Sequence, residues 1–157
     1  MRKDLHMSPG KLAAQVSHCA EAYWTKMIKE TAIPVKFDVV NYEGERYFNI
    51  THDEENCTHY QSLVLIPKKI FEQYVNGIFT KTICEAKNKK QLLKAKEKAE
   101  ELKLVEGEDF GLIYDKCLTE LEPEESDGSI LTGIWFKPLP DDIAHEISKK
   151  YQLYRGD

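Results

Sequence analysis

The sequence predicts an α/β fold in which one single-layer, small mixed β-sheet packs with helices and carries an added β-hairpin. Segments with apolar residues every three or four positions are typical of helices, and they alternate with short β-branched and aromatic runs that are typical of strands. Such alternation favours a sheet layered with helices. We expect the 157 residues to form a single domain, 1–157, with an insertion at about 33–66.

The first element is a helix from Lys11 to about Glu30. Ser8-Pro9-Gly10 is a helix-start signal, because serine can cap the first turn and proline suits the first helical position. An apolar stripe is expected to face the core, and a separate polar stripe lies about a quarter-turn away. The apolar stripe consists of Leu12, Val16, Cys19, Tyr23 and Met27, and the polar stripe consists of Lys11, Gln15 and His18.

A β-hairpin follows. Two β-rich runs, Val35–Val40 and Arg46–Thr51, flank an Asn- and Gly-containing segment that favours a turn, so residues 35–51 are predicted to pair antiparallel. Pro67 then begins a short helical stretch that lasts through Tyr74, and Asn76-Gly77 ends it.

The second half of the chain predicts three strands and two helices. Asn88, with Gln91 three positions later, resembles a helix cap, and the helix that follows runs to about Leu104 with lysines on its solvent face. These lysines are either contacts for phosphate groups or an ordinary solvated face. The strands are Ile78–Ala86, Phe110–Tyr114 and Ser129–Phe136, and the last helix is Asp141–Lys150.

Composition points to a reducing compartment, and we expect a cytoplasmic protein. No two of the four cysteines form a C-x-x-C pair, and no apolar stretch approaches the ~18 residues of a membrane span. The net charge of −5 is not that of a typical nucleic-acid binder. It is unevenly distributed, however, since residues 67–105 carry +5 and residues 106–157 carry −8. Membrane binding is not expected.

A metal site is also not expected. His52, Cys57 and His59 lie close in sequence with acidic residues between them, but their spacing matches no standard zinc site. A polar loop is the simpler interpretation, and no cofactor is implied.

Three segments resemble the archaeal and eukaryotic type of peptidyl-tRNA hydrolase. RKDLHMSPGKLAAQVSH at 2–18 is similar to the family signature R-x-D-L-K-M-x-x-G-K-x-A-A-Q-x-x-H. LIYDKCLTE at 112–120 resembles the segment L-I-x-D-A-G-x-T-Q/E, and LTGIWFKP at 131–138 resembles V-L-G-I-G-P. The resemblance implies a hydrolase that cleaves the ester between a peptide, or an N-blocked amino acid, and tRNA. It also makes tRNA the expected partner.

The resemblance places candidate catalytic residues at Lys11, His18, Asp115 and Thr119. Ester hydrolysis needs an activated water and a donor for the negative charge that develops on the carbonyl oxygen. His18 is a candidate base, Asp115 can orient it or hold the water, and Thr119 can position that water. Lys11 suits either the oxyanion or a terminal tRNA phosphate. We expect the four side chains to converge on one cleft.

Several departures from the family pattern leave a second interpretation open. Only Met1 precedes Arg2, so most of the family's first strand is expected to be missing, and Lys116-Cys117 stands where the family has Ala-Gly. The acidic loop 120–127 is expected to repel tRNA. The alternative is a catalytically inactive or repurposed relative that binds a protein or a small ligand. A homodimer is compatible with either interpretation.

Overall fold

The structure, a computed structural model, describes residues 1–155. Its contacts divide the chain into two compact units, one combining Met1–Tyr23 with the chain from Lys68 onward and the other comprising Trp24–Pro67. In chain order the elements are α1 (Pro9–Thr31), β1 (Ile33–Tyr42), β2 (Glu45–His52), β3 (His59–Gln61), α2 (Lys68–Ile70, continued by a π-helical segment Phe71–Val75), β4 (Cys84–Glu85), α3 (Lys89–Glu101), β5 (Phe110–Asp115), β6 (Ile130–Phe136), α4 (Asp141–Ser148) and β7 (Gln152–Leu153). The predicted α/β class is confirmed.

The sheet of the first unit is assembled from two antiparallel ladders, β5–β6 and β4–β7. The first residues of the chain join them. Arg2 N donates to Thr132 O at 2.9 Å on one side, while Lys3 N donates to Ala86 O at 2.8 Å and Ala86 N donates to Met1 O at 2.7 Å on the other. Because Arg2 and Ala86 bridge in parallel, the joined sheet is mixed. A segment of three residues is therefore enough to link the two ladders.

Helix α1 begins as its sequence predicts. Ser8 Oγ accepts from Lys11 N at 3.3 Å, and the carboxylate of Glu120 accepts from Ser8 N at 2.7 Å. Because these two acceptors satisfy amides at the start of the helix, they fix where the first turn lies. Part of the predicted apolar stripe packs on the buried cluster that contains Met1, Met7, Leu121 and Ile130; these stripe residues are Leu12, Val16 and Cys19.

Helix α3 also follows its sequence signals. Asn88 Oδ1 accepts from Gln91 N at 2.9 Å, and Gln91 Oε1 accepts from Lys87 N at 2.6 Å, so the two side chains form a reciprocal cap. Leu92 is 1% exposed and Ala99 is fully buried, so one face of this helix is apolar and lies in the core. This face holds α3 against the core.

In the second unit, β1 and β2 form the predicted antiparallel hairpin. Tyr42 pairs with Glu45, which leaves a two-residue turn of Glu43 and Gly44 with φ angles of 51° and 84°. Left-handed φ at both positions is what a tight hairpin turn requires, and glycine adopts it without steric cost. Every residue of β2 is exposed. The short strand β3 pairs with the start of β1.

The predicted strand Ile78–Ala86 is wrong over most of its length. Only Cys84–Glu85 is a strand, paired with β7, and Ala86 adds a single bridge to Arg2. Phe79 has a φ of 51°, which breaks an extended run, and Ile78 is 90% exposed. An apolar β-branched run that gains no strand partner has no ladder to keep it extended. Within residues 1–155, no helix is long and apolar enough to cross a membrane.

Candidate active site

Three of the four predicted site residues meet where α1 begins and β5 ends. Lys11 Nζ lies 2.8 Å from Asp115 Oδ2 and donates to Thr119 Oγ1 at 2.9 Å. The first turn of α1 supplies the lysine, the end of β5 supplies the carboxylate, and the loop after β5 supplies the hydroxyl. The side chains of Lys11 and Asp115 are 14% and 12% exposed. The side chains of Lys11 and Asp115 are therefore accessible to solvent at one edge, while their mutual contact fixes their geometry.

The carboxylate of Asp115 is hydrogen-bonded on both oxygens. Gln15 Nε2 donates to Oδ2 at 2.8 Å, beside Lys11, and Cys117 N donates to Oδ1 at 2.8 Å. Partial burial by itself would raise the pKa of Asp115, but the hydrogen bonds from Lys11 and Cys117 and the charges of Lys11 and His18 lower it below its ordinary value. Asp115 is therefore ionised at neutral pH. Because a carboxylate with a lowered pKa is a weak base, it suits holding a cation or a water.

A buried hydrogen bond fixes Gln15 from behind. Gln15 is 2% exposed and Thr132 is fully buried, and Thr132 Oγ1 donates to Gln15 Oε1 at 2.6 Å. Because the amide oxygen of Gln15 accepts from Thr132, its amide nitrogen faces Asp115. The sequence placed Gln15 in the polar stripe with Lys11 but did not identify it as a site residue. Its position four residues after Lys11 was the available signal, whereas nothing in the sequence pointed to Thr132.

His18 is on the same polar side of α1 but is exposed to solvent. Its charge is among the causes that lower the pKa of Asp115, so it lies within electrostatic reach of the carboxylate. The structure therefore brings Lys11, Asp115 and Thr119 into direct contact and leaves His18 at the margin of the group. A side chain in that position can exchange protons with solvent.

Cys117 stands where the family motif has glycine, and its backbone keeps a conformation that glycine favours. Its φ is 54°, in the left-handed region where glycine is favoured, and this conformation directs its N–H to Asp115 Oδ1. A residue with a side chain pays roughly 1–2 kcal/mol for that backbone conformation. The loop thus keeps a glycine-type geometry without glycine, and the backbone contact to the carboxylate is preserved.

Three of the five acids in the acidic loop 120–127 are paired with cations in the structure. Glu124 accepts two hydrogen bonds from the buried Arg2 guanidinium, at 2.6 and 2.7 Å, and Glu125 pairs with Lys89 at 2.5 Å. Asp127 pairs with Lys116 at 2.9 Å, and Glu120 caps α1. The expected repulsion of tRNA is therefore weaker than the sequence alone suggested, since these ion pairs cancel part of the loop's negative charge.

The His- and Cys-containing loop of the second unit makes local hydrogen bonds. His59 Nδ1 lies 3.0 Å from Thr58 Oγ1, and Cys57 Sγ donates to His59 O at 3.1 Å. Among residues 1–155, no three His, Cys, Asp or Glu side chains form a group that could hold a metal ion.

The polar group at the start of α1 lies on the segment with the most specific sequence signature. The sequence profile of the family described as peptidyl-tRNA hydrolase PTH2 matches residues 1–154. The chain belongs to this family. No curated protein and no solved structure gives a match. Membership in the PTH2 family agrees with the resemblance carried by residues 2–18, 112–120 and 131–138, and it covers both compact units.

Proposed function

We propose that this PTH2-family chain hydrolyses the ester bond between tRNA and a peptide or an N-blocked amino acid. The contact of Lys11 with both Asp115 and Thr119 is the observation that carries the proposal. It supplies a cation, a carboxylate and a hydroxyl within reach of one ester group. Such an enzyme works where translation takes place, so we also propose a cytoplasmic location.

Lys11 has the role of stabilising the negative charge that forms on the ester carbonyl oxygen. An ammonium fixed before the substrate arrives stabilises that charge without reorganising during the reaction. Asp115 supports this role because its ionised carboxylate, bonded also by Gln15, holds the ammonium in place. Lys11 is thus oriented by two partners rather than free in solvent.

Thr119 and His18 have the role of handling the attacking water. Thr119 Oγ1 accepts from Lys11, which leaves its own hydroxyl proton available to a second acceptor such as the water or the carbonyl. His18 is exposed beside the group and can accept the proton that the water loses. The water then adds to the carbonyl carbon, and the bond to the ribose oxygen breaks as that oxygen takes the proton that His18 received from the water.

Release of an N-blocked amino acid from tRNA tests this proposal. Wild-type protein should release it, and Asp115→Asn should lower turnover by about 10²-fold while the circular dichroism spectrum stays unchanged, as for a positioned polar group. Glu122→Gln removes one negative charge from the neighbouring loop and serves as the matched control, with turnover close to wild type. Wild-type protein that releases no amino acid, or Asp115→Asn at the wild-type rate, would contradict the assignment.

A further inference from the structure

Three lysines around the start of α3 form a basic surface with no paired acid. Lys87, Lys90 and Lys94 are exposed, and within the part of the chain that the structure describes no carboxylate lies in salt-bridge range of them. We call them the α3 lysine surface. The other lysines of the helix are bound to acids: Lys89 to Glu125, Lys96 to Glu106 and Lys98 to Glu101. Half of the six lysines of residues 67–105 that make no ion pair within residues 1–155 are therefore in or just before the first half of α3.

The order of charges along α3 is the reverse of what stabilises a helix. The first turn contains no acid but contains Lys89 and Lys90, whereas acids stand towards the end at Glu97, Glu100 and Glu101. The helix dipole favours acids at the beginning and bases at the end. The helix dipole therefore does not account for Lys89 and Lys90 in the first turn.

The α3 lysine surface belongs to the same compact unit as the candidate active site. One loop connects the two, because Thr119 contacts Lys11 and Glu125 contacts Lys89. Thr119 and Glu125 are six positions apart, and an extended chain spans at most ~3.6 Å per residue, so their Cα atoms are at most about 22 Å apart. Each strand of a nucleic-acid duplex carries a phosphate about every 3.4 Å of axis, so a duplex crosses this distance within about six base pairs or fewer.

From these observations we propose that the α3 lysine surface binds the phosphate backbone of the double-stranded stem next to the esterified end of the tRNA. The inference rests on the proposed function, which puts that end at Lys11 and Asp115. A duplex leaving the site along the connecting loop passes the start of α3. Since Glu124, Glu125 and Asp127 of that loop are already paired with cations, the negative field that competes with the phosphates for the three lysines is weakened.

Charge reversal at matched positions tests the inference. Lys90→Glu and Lys94→Glu should each raise the KM for N-blocked aminoacyl-tRNA by about 5- to 10-fold and reduce the slope of log affinity against log salt by about one. Lys103→Glu is the control, because it makes the same charge change in an exposed lysine just past the other end of α3. Its KM should remain near wild type.

A substrate without a stem separates this inference from the proposed function. An N-blocked amino acid esterified to adenosine should be hydrolysed at equal rates by wild type, Lys90→Glu and Lys94→Glu, since no duplex contacts α3. Equal effects of Lys94→Glu and Lys103→Glu on tRNA would overturn the inference while the hydrolase assignment stands. Wild-type protein that hydrolyses neither substrate contradicts the assignment itself, and the inference fails with it.

Discussion

Gln15 is the residue that fixes the conformation of the candidate site. It joins the ionised Asp115 to the fully buried Thr132, so a single amide connects the site to the core of the sheet. Hydrogen bonds between buried polar groups are costly to break singly, because the remaining partner loses its bond without regaining water. The pair is therefore expected to act as a unit.

A double-mutant cycle measures this coupling. Gln15→Met and Thr132→Val should each lower the free energy of unfolding by about 1–3 kcal/mol, since the first removes the bonds to Asp115 and Thr132 and the second leaves the Gln15 amide oxygen unsatisfied. The double variant should cost less than the sum of the two, by roughly 1 kcal/mol, because the second change removes the orphaned partner. Urea unfolding monitored by circular dichroism gives all three values. Strictly additive losses would show that the two side chains stabilise the fold independently.

At the scale of elements, the close packing of α1 on β6 depends on Gly133. A Cβ at this position would lie 2.7 Å from Met1 Sδ and 2.9 Å from Cys19 Sγ, closer than carbon and sulfur atoms approach. Cys19 is on the apolar stripe of α1, so any side chain on Gly133 pushes the helix away from the strand. Gly10, in the first turn of the same helix, has nothing within 4 Å of the equivalent point.

Replacing each of the two glycines by alanine should change the free energy of unfolding in opposite directions. Gly133→Ala should destabilise the protein by about 1–3 kcal/mol through overpacking. Gly10→Ala should stabilise it by roughly 0.5–1 kcal/mol, because alanine loses less backbone entropy in a helix. Thermal unfolding of the two variants beside wild type measures both changes. A stable Gly133→Ala protein would mean that the contact between α1 and β6 is looser than the structure has it.

At the scale of the whole molecule, carboxylates in ion pairs make the free energy of unfolding depend on pH. The pKa of Asp127 falls to about 2 because Ser129 and Lys116 donate to its carboxylate, and the pKa of Glu124 falls because Arg2 donates to it. A carboxyl group with a lower pKa when folded stabilises the fold above its unfolded pKa, near ~4. That contribution is lost as the pH falls towards the folded pKa. Asp115 adds to the effect with the same sign.

The free energy of unfolding should therefore be nearly constant from neutral pH to about 5 and fall steeply between about pH 5 and 2. Urea unfolding at stepped pH values measures the curve. Asp127→Asn should give a flatter curve below pH 4, since the variant has one fewer ionisable pair to lose. A wild-type stability that does not change down to pH 2 would show that these ion pairs contribute nothing.

Local signals in the sequence determined the elements that depend on neighbours in the chain. Ser8 and Asn88 cap the helices that they were predicted to cap, and Gly44 forms the hairpin turn, because caps and tight turns are settled within four or five residues. The signature at residues 2–18 is also contiguous in the sequence, and it indicated the family. The same signature led to Lys11 and His18, and the segment 112–120 led to Asp115 and Thr119.

Only the tertiary structure decided which groups pair across distant segments. Thr132 is 117 positions from Gln15, Glu124 is 122 positions from Arg2, and neither pairing leaves a local pattern in the sequence. The run at 78–83 has strand composition but gains no strand partner, because the extended state depends on hydrogen bonds that another segment must supply. The acidic loop 120–127 likewise reads as a repulsive surface until Arg2, Lys89 and Lys116 fold against it. Helix caps and tight turns depend on residues within four or five positions, so the sequence alone determines them. Ion pairs and strand pairing depend on residues that are distant in the chain, so only the tertiary structure determines those.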